Sequence, residues 1–265
     1  MSYNNYLDAF AAWQAVSSLP CPSVVIVKHG SPCGAAHAPE LTAAFEQAFE
    51  SDPVSAFGGI VAVNQPLDAR TASSLSSRVF DIVIAPDFAP AAIEALARRR
   101  PLRLVRAPAP PTPEAWVIRS IDGMALVQQP DYEPVASDSW RVVTQREPTP
   151  KERTALEFAW LVARFVTSNA VVLAQGTTTV GIGGGQPNRV DAVRLALWRA
   201  GERARGSVLA SDAFFPFPDG VEVAAEAGVS AIVQPGGSRR DAEVIAAADR
   251  AGVAMLFTGV RHFRH

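Results

Sequence analysis

Cysteine is scarce in this sequence: Cys21 and Cys33 are the only two in 265 residues. Two thiols are too few for a disulfide framework or for a zinc site built on two cysteine pairs. An excess of charge is missing too. Against 24 basic side chains stand 26 acidic ones, a formal charge of −2. That balance excludes a protein whose affinity comes from a broad field over nucleic acid or an anionic membrane, although a local group of arginines could still hold one phosphate or carboxylate. No apolar run approaches the ~18 residues needed to cross a bilayer. The opening Met1-Ser2-Tyr3-Asn4-Asn5 lacks the basic stretch and apolar run of a secretory leader. These absences predict a cytoplasmic protein with no nucleic-acid or membrane partner. Disorder is excluded as well, because 48% hydrophobic residues against 19% charged supply ample core.

What is present is an alternation of short apolar runs and amphipathic stretches, the pattern of a layered α/β fold. Val24 to Val27 reads as a buried strand that delivers Lys28-His29 to its carboxyl end. Residues 39–50 put Leu41, Ala44, Phe45, Ala48 and Phe49 on one helical face. Ile82 to Ala85 is a strand stopped by Pro86, and Pro90 opens a helix through Arg99. The prolines of 107–113 predict a surface loop. The polar stretch 129–148 carries the chain between two halves, dividing it into units 1–145 and 146–265. Thr149-Pro150-Lys151-Glu152 predicts a capping box with proline in the first turn. Strands over 170–174 and 177–182 flank Gln175-Gly176. Asp219 to Glu222 and Ser238 to Asp241 read as further capping boxes, with Gly228 and Gly252 at helix C-caps. Strands over 229–233 and 253–257 follow their helices, so parallel pairing is expected. A faint echo between residues 51–58 and 211–217 suggests two diverged copies of one unit, or chance.

Several segments can carry chemistry, and each has a plainer reading beside it. His29, at the carboxyl end of a strand, can accept a proton near neutral pH, with Lys28 as a fixed charge beside it; the plainer reading is a strand-end histidine bonded to backbone. Nucleobase deaminases hold zinc with His-x-Glu and Pro-Cys-x-x-Cys. Pro32-Cys33 has no second cysteine, and neither His29 nor His37 is followed by the glutamate, so zinc is rejected. The run Gly181 to Arg189 is either an anion cradle at a helix start or a tight turn. Ser211 to Asp219, with Phe214, Phe215 and Phe217, is either a core plug or an aromatic wall for a flat heterocycle. The end, Arg261 to His265, is either a solvated basic tail or a docked one.

Taken together and in order, these segments resemble one family. They are Ser2 to Asn5, Val27 to Gly34, Asp52 to Ala62, Ser168-Asn169-Ala170, Val180 to Gln186 with Arg189-Val190-Asp191, Ser211 to Asp219, Gln234 to Ser238 and Thr258 to His265. They look like the AICAR transformylase domain, the formyltransferase half of a bifunctional purine-biosynthesis enzyme that also carries an IMP cyclohydrolase domain. The resemblance implies a three-layer α/β/α fold of two cytidine-deaminase-like units without zinc, and a homodimer whose active sites are shared between subunits. It implies 10-formyltetrahydrofolate as co-substrate and AICAR as the amine, and leaves a monovalent cation open. His29 corresponds to the general base, and Lys28 keeps it neutral while assisting the substrate phosphate or the leaving nitrogen. Asn169 donates to the formyl oxygen. Phe57, Gly58 and Phe214 line the ring and folate region. Asp81, Arg189 and Asp219 fall at substrate contacts, while Arg261 and Phe263 take the ribotide.

Four departures stand beside the resemblance. The cyclohydrolase domain and an upstream Arg-Tyr-Gly-Glu-Asn-Pro-His-Gln segment of relatives are missing from this sequence. Thr167 stands where many relatives have lysine. Gly30-Ser31 replaces the commoner Thr-Asn. A family member repurposed for another amine, and a non-catalytic folate- or nucleotide-binding relative, are the alternative expectations.

Overall fold

The computed structural model describes residues 1–98, 101–111, 116–131 and 135–265. Arg99, Thr112, Pro113 and Pro134, on which some of the expectations above fall, lie outside the described residues. The first half runs α1 (Tyr3–Ser17), β1 (Ser23–Lys28), β2 (Ser31–His37), α2 (Leu41–Ser51), a short α3 (Pro53–Ala56), β3 (Gly59–Val63), α4 (Ala69–Ser76), β4 (Phe80–Ala85), α5 (Pro90–Ala97) and β5 (Arg103–Arg106). A hairpin, β6 (Val117–Ile121) and β7 (Met124–Gln128), and a two-residue β8 (Arg141–Val142) follow. The second half runs α6 (Pro150–Ala163), β9 (Val171–Gln175), β10 (Thr178–Gly183), α7 (Arg189–Ala200), β11 (Val208–Ser211), α8 (Asp219–Glu226), β12 (Ala231–Gln234), α9 (Asp241–Arg250) and β13 (Ala254–Phe257).

Eleven strands form one mixed sheet in the order β5-β4-β3-β1-β2-β10-β9-β11-β12-β13-β8. Strands β3 to β5 are parallel to one another, as are β11 to β13, and the hairpins β1–β2 and β9–β10 are antiparallel. The two sets join antiparallel at β2 and β10. Apart from β8, the order reads alike from either end.

Alternation of side chains across the strands sorts the core into layers. Val25 and Val27 face one way, packing with α1 and α6 in a single cluster that crosses both halves. Val24 and Ile26 face the other way, under α2, α4 and α5, while Leu173, Leu209 and Ile232 lie under α7, α8 and α9. The result is three layers, α/β/α. Strand β2 was not foreseen, and its composition explains why. Pro32, Gly34, Ala35 and Ala36 have little strand propensity, yet small residues are needed there. A Cβ on Gly34 would lie 2.0 Å from the Ala48 carbonyl oxygen of α2, and one on Gly183 of β10 would lie 2.0 Å from the Ala192 oxygen of α7. The glycine run of the second half therefore lets a helix sit close on its strand.

Helix ends follow local chemistry. Thr149 and Glu152 form a reciprocal capping box with Pro150 in the first turn, and Gly228 and Gly252 follow helix ends with φ of +87° and +68°. The other two expected boxes are corrected. Helix α8 has Pro218 at its N-cap with no side-chain cap, Asp219 being already inside the first turn. Ahead of α9, Asp241 accepts from the Gly237 and Ser238 N–H groups, which closes a turn instead of a box. The echo between 51–58 and 211–217 takes its chance reading: the first segment runs from the last residue of α2 through α3 and the second starts at the last residue of β11, so they occupy different places in the fold.

Glu152 does more than cap. Arg146 reaches its two carboxylate oxygens at 2.8 and 3.0 Å and also donates to the Ser230 carbonyl, tying the connection into the second half. Burial alone would raise the Glu152 carboxyl, but the Arg146 guanidinium and the Thr149 N–H outweigh it and bring it down to about 2. A depressed carboxyl stabilises the fold above its unfolded value near 4.5, and that contribution is lost as pH falls from there towards 2. Glu152→Gln is therefore expected to lower stability by roughly 1.5–3 kcal/mol at pH 7, as for a charge-assisted bond. Urea unfolding of both proteins across pH should show that gap closing below about pH 4.

Candidate active site

Strand directions bring every predicted site residue to one end of the sheet. The carboxyl ends of β1, β10, β11, β12 and β13 meet there with the amino ends of β2, β3, β4 and β9. Within that edge the residues fall into two clusters.

The first cluster surrounds the tip of β1–β2. Lys28 pairs with Ser31, leaving His29-Gly30 as a two-residue turn with φ of +53° and +76°. Positive φ at both positions is the primed hairpin turn that matches strand twist, and histidine tolerates it better than most residues with a Cβ. The turn leaves the His29 imidazole exposed at the tip. The Lys28 Nζ donates to the Phe57 carbonyl at 2.7 Å. A Cβ built on Gly58 would meet that Nζ at 3.1 Å and Asp81 Oδ1 at 3.9 Å. Lys28, His29, Phe57, Gly58 and Asp81 thus lie together, with Phe57 65% exposed.

The second cluster is built on a buried ion pair. Arg189 opens α7, and its side chain is only 6% exposed. Its guanidinium donates to Asp212 Oδ1 at 2.6 Å, to Ser211 Oγ at 2.6 Å and to Asn169 Oδ1 at 2.5 Å. Asp212 also accepts from the Ala170 N–H and from the Ser168 hydroxyl. A guanidinium can only donate, so the Asn169 oxygen must face Arg189 and its amide nitrogen must face away. That nitrogen gives one hydrogen to the Gln186 carbonyl at 2.8 Å. Among the described residues its second hydrogen has no such partner. Arg189 is therefore placed as the group that orients Asn169, with its own charge already neutralised by Asp212.

The tail is docked on the same cluster. Ser168 N–H donates to the Arg264 carbonyl, the Arg264 N–H returns to Ser168 Oγ, and the His262 N–H donates to the Asp212 carbonyl. Arg261 and Phe263 stay exposed, the guanidinium carbon 5.7 Å from the ring centre. Of the aromatic segment, Phe215 is core, packed on Gly220, whereas Phe214 is half-buried and Asp219 exposed near the edge. Four residues of this arrangement escaped the sequence: Ser168, Ser211, Asp212 and His262. Asp212 had a signal, a lone acidic residue directly after an apolar strand run.

The two clusters are not brought together within one chain. His29 at the end of β1 and Asn169 before β9 are three strand positions apart, about 14 Å at the usual spacing. Among the described residues no group of three His, Cys, Asp or Glu side chains could hold a metal ion, and no helix is long and apolar enough to cross a membrane.

The sequence model of the family described as AICARFT/IMPCHase bienzyme matches residues 1–199. The chain belongs to this family. Among its relatives, the bifunctional purine biosynthesis protein PurH of Chloroflexus aurantiacus is 52% identical across the whole of this chain, which spans 53% of that protein. The proteins of the same name from Myxococcus xanthus and Sorangium cellulosum are each 50% identical, again over the whole chain and 53% and 51% of their own lengths. The chain thus spans about half the length of these AICARFT/IMPCHase relatives.

Proposed function

We propose that this chain moves the formyl group of 10-formyltetrahydrofolate to the amine of AICAR, as a homodimer in which each site takes His29 from one subunit and Asn169 from the other. The observation that carries this reading is the Asn169 amide, turned by Arg189 so that one N–H is left to donate at the reactive sheet edge. An amine conjugated with an aromatic ring attacks weakly, so the site must supply a base, an oxyanion donor and tight positioning. His29 takes the proton as the amine nitrogen bonds to the formyl carbon. Asn169 donates to the oxygen as it gains charge. Collapse breaks the carbon–nitrogen bond to the folate, whose nitrogen leaves with a proton. Lys28 has further N–H groups beyond the one on Phe57, for the substrate phosphate or that leaving nitrogen. Phe57, Gly58 and Phe214 line the folate and ring, Asp81 and Asp219 contact substrate, and Arg261 and Phe263 receive the ribotide.

A second copy is supported by what one chain leaves unfinished. The two clusters are apart, and large apolar side chains stand in water: Tyr3, Tyr6, Leu7 and Phe10 at helical spacing on α1, and Ile118, Met124 and Leu126 on the β6–β7 hairpin. A two-stranded hairpin exposed on both faces is marginal alone, and apolar surface on this scale marks a contact site. Division into two cytidine-deaminase-like units, 1–145 and 146–265, is supported by the matched element order and by paired contacts. Asn64 accepts from the Ser23 N–H after β3 just as Asp212 accepts from the Ala170 N–H after β11.

Calorimetric titration with AICAR, followed by a transfer assay with 10-formyltetrahydrofolate, tests the reading. Micromolar binding with turnover is expected; binding at millimolar levels or none at all, with transfer to another amine, would hand the chain to the repurposed reading instead.

A further inference from the structure

Residues 258–265 contain no helix or strand, yet one side chain among them is inserted into the protein. His262 is 2% exposed, between Arg261 and Phe263, which both face solvent. Its Nδ1 lies 2.6 Å from Asp131 Oδ2, and its ring centre is 4.7 Å from that of Trp160 on α6. A carboxylate can only accept, so Nδ1 carries the proton and donates. Trp160 is itself fixed edge-to-face against Trp140. The backbone is fastened on either side as well, by the His262 N–H on the Asp212 carbonyl and the Arg264 N–H on Ser168 Oγ.

Packing alone does not account for an imidazole there. Its Nε2 is buried with no hydrogen-bond partner among the described residues, a cost that a phenylalanine in the same slot would avoid. What only the imidazole supplies is the directed bond to Asp131, which joins the connection between the halves to the chain end.

We infer that His262 is a positioning residue: latched by Asp131 and clamped on Trp160, it sets the backbone from which Arg261 and Phe263 present to the acceptor. This rests on the transfer function proposed above. Neither flanking residue has a buried side-chain anchor of its own, so the direction in which they project is set by the residue between them. A loosened latch leaves the reacting groups His29 and Asn169 in place, and it weakens the grip on the ribotide.

The experiment begins with the wild-type chain, whose failure to transfer formyl to AICAR would count against the function and not against the latch. With an active protein, His262→Ala is expected to raise KM for AICAR about tenfold or more, while kcat and KM for the folate stay within about threefold, the signature of lost binding common to ground and transition states. His262→Asn, which keeps a donor near the Nδ1 position, should recover most of the loss. Asp131→Ala should reproduce it, and the double variant should be no worse than either single one. Should His262→Ala fail to fold, Asp131→Ala carries the same comparison. Unchanged KM for AICAR in a folded His262→Ala protein, or additive effects of the two substitutions, would overturn the proposal. Trimming by carboxypeptidase reads the latch without any substrate: faster loss of the tail in His262→Ala and Asp131→Ala supports it, and equal rates refute it.

Discussion

Chains carrying His29→Ala, co-expressed with chains carrying Asn169→Ala, should regain about a quarter of the wild-type formyl transfer, although neither variant works alone. Each lesion is severe by itself. Loss of a general base costs roughly 10²- to 10⁴-fold, and loss of an oxyanion donor roughly 10²- to 10³-fold. In a shared-site dimer, the mixed pair concentrates both lesions in one site and leaves the other intact. Half of randomly assorted dimers are mixed, and one site in two works. If each chain instead closed its own site across the roughly 14 Å between β1 and β9, no assortment could rescue either variant. A mixture no better than the sum of its parts would remove the shared site.

Arg189→Met should be the most damaging single change in the second cluster. The arginine and Asp212 are 6% and 1% exposed at 2.6 Å, and removing one partner of a buried pair leaves an uncompensated charge at a cost of roughly 3–5 kcal/mol. At this chain length that corresponds to a fall in Tm of roughly 6–20 °C. Activity should drop further than stability explains, because Asn169 loses the donor that holds its oxygen inward and its amide becomes free to turn. Adding Asp212→Leu to Arg189→Met separates the two effects: part of the lost stability should return, since no charge is left unpaired, while transfer stays down. Thermal melts and single-turnover rates on the three variants read both, and an Arg189→Met protein as stable as wild type would show that the pair is not what holds this edge.

Much of the architecture was legible because its signals are local. Proline and threonine at 149–150 and glycine at 228 and 252 mark helix ends by chemistry that acts within four residues. The parallel pairing of β12 with β13 follows from helix-then-strand alternation. What escaped was decided at long range. Strand β2 is poor in strand formers because α2 presses on it, and the seam between β2 and β10 joins residues about 140 positions apart. Asp219 and Ser238 fit a capping pattern in sequence, but their helices take Pro218 and Arg240 as N-caps instead. Among the site residues, the segments around Lys28-His29 and Ser168-Asn169 were legible as motifs. Their separation on the sheet was not, since strand order is invisible in any single segment. Arg189 drew notice as a loose cation after a glycine run; that Asp212 already balances it depends on a strand 20 residues further on.

The palindromic strand order has one more consequence. The half-turn that carries one set of strands onto the other also exchanges the two rims of the sheet. The rim opposite His29 and Asn169 therefore repeats the same ground plan, down to Asn64 receiving the Ser23 amide where Asp212 receives that of Ala170. There the hairpin tip holds Gly176-Thr177 in place of His29-Gly30, and Leu41 opens the helix where Arg189 opens its counterpart. The two rims therefore share a layout of strand and helix ends and differ in the side chains mounted on it.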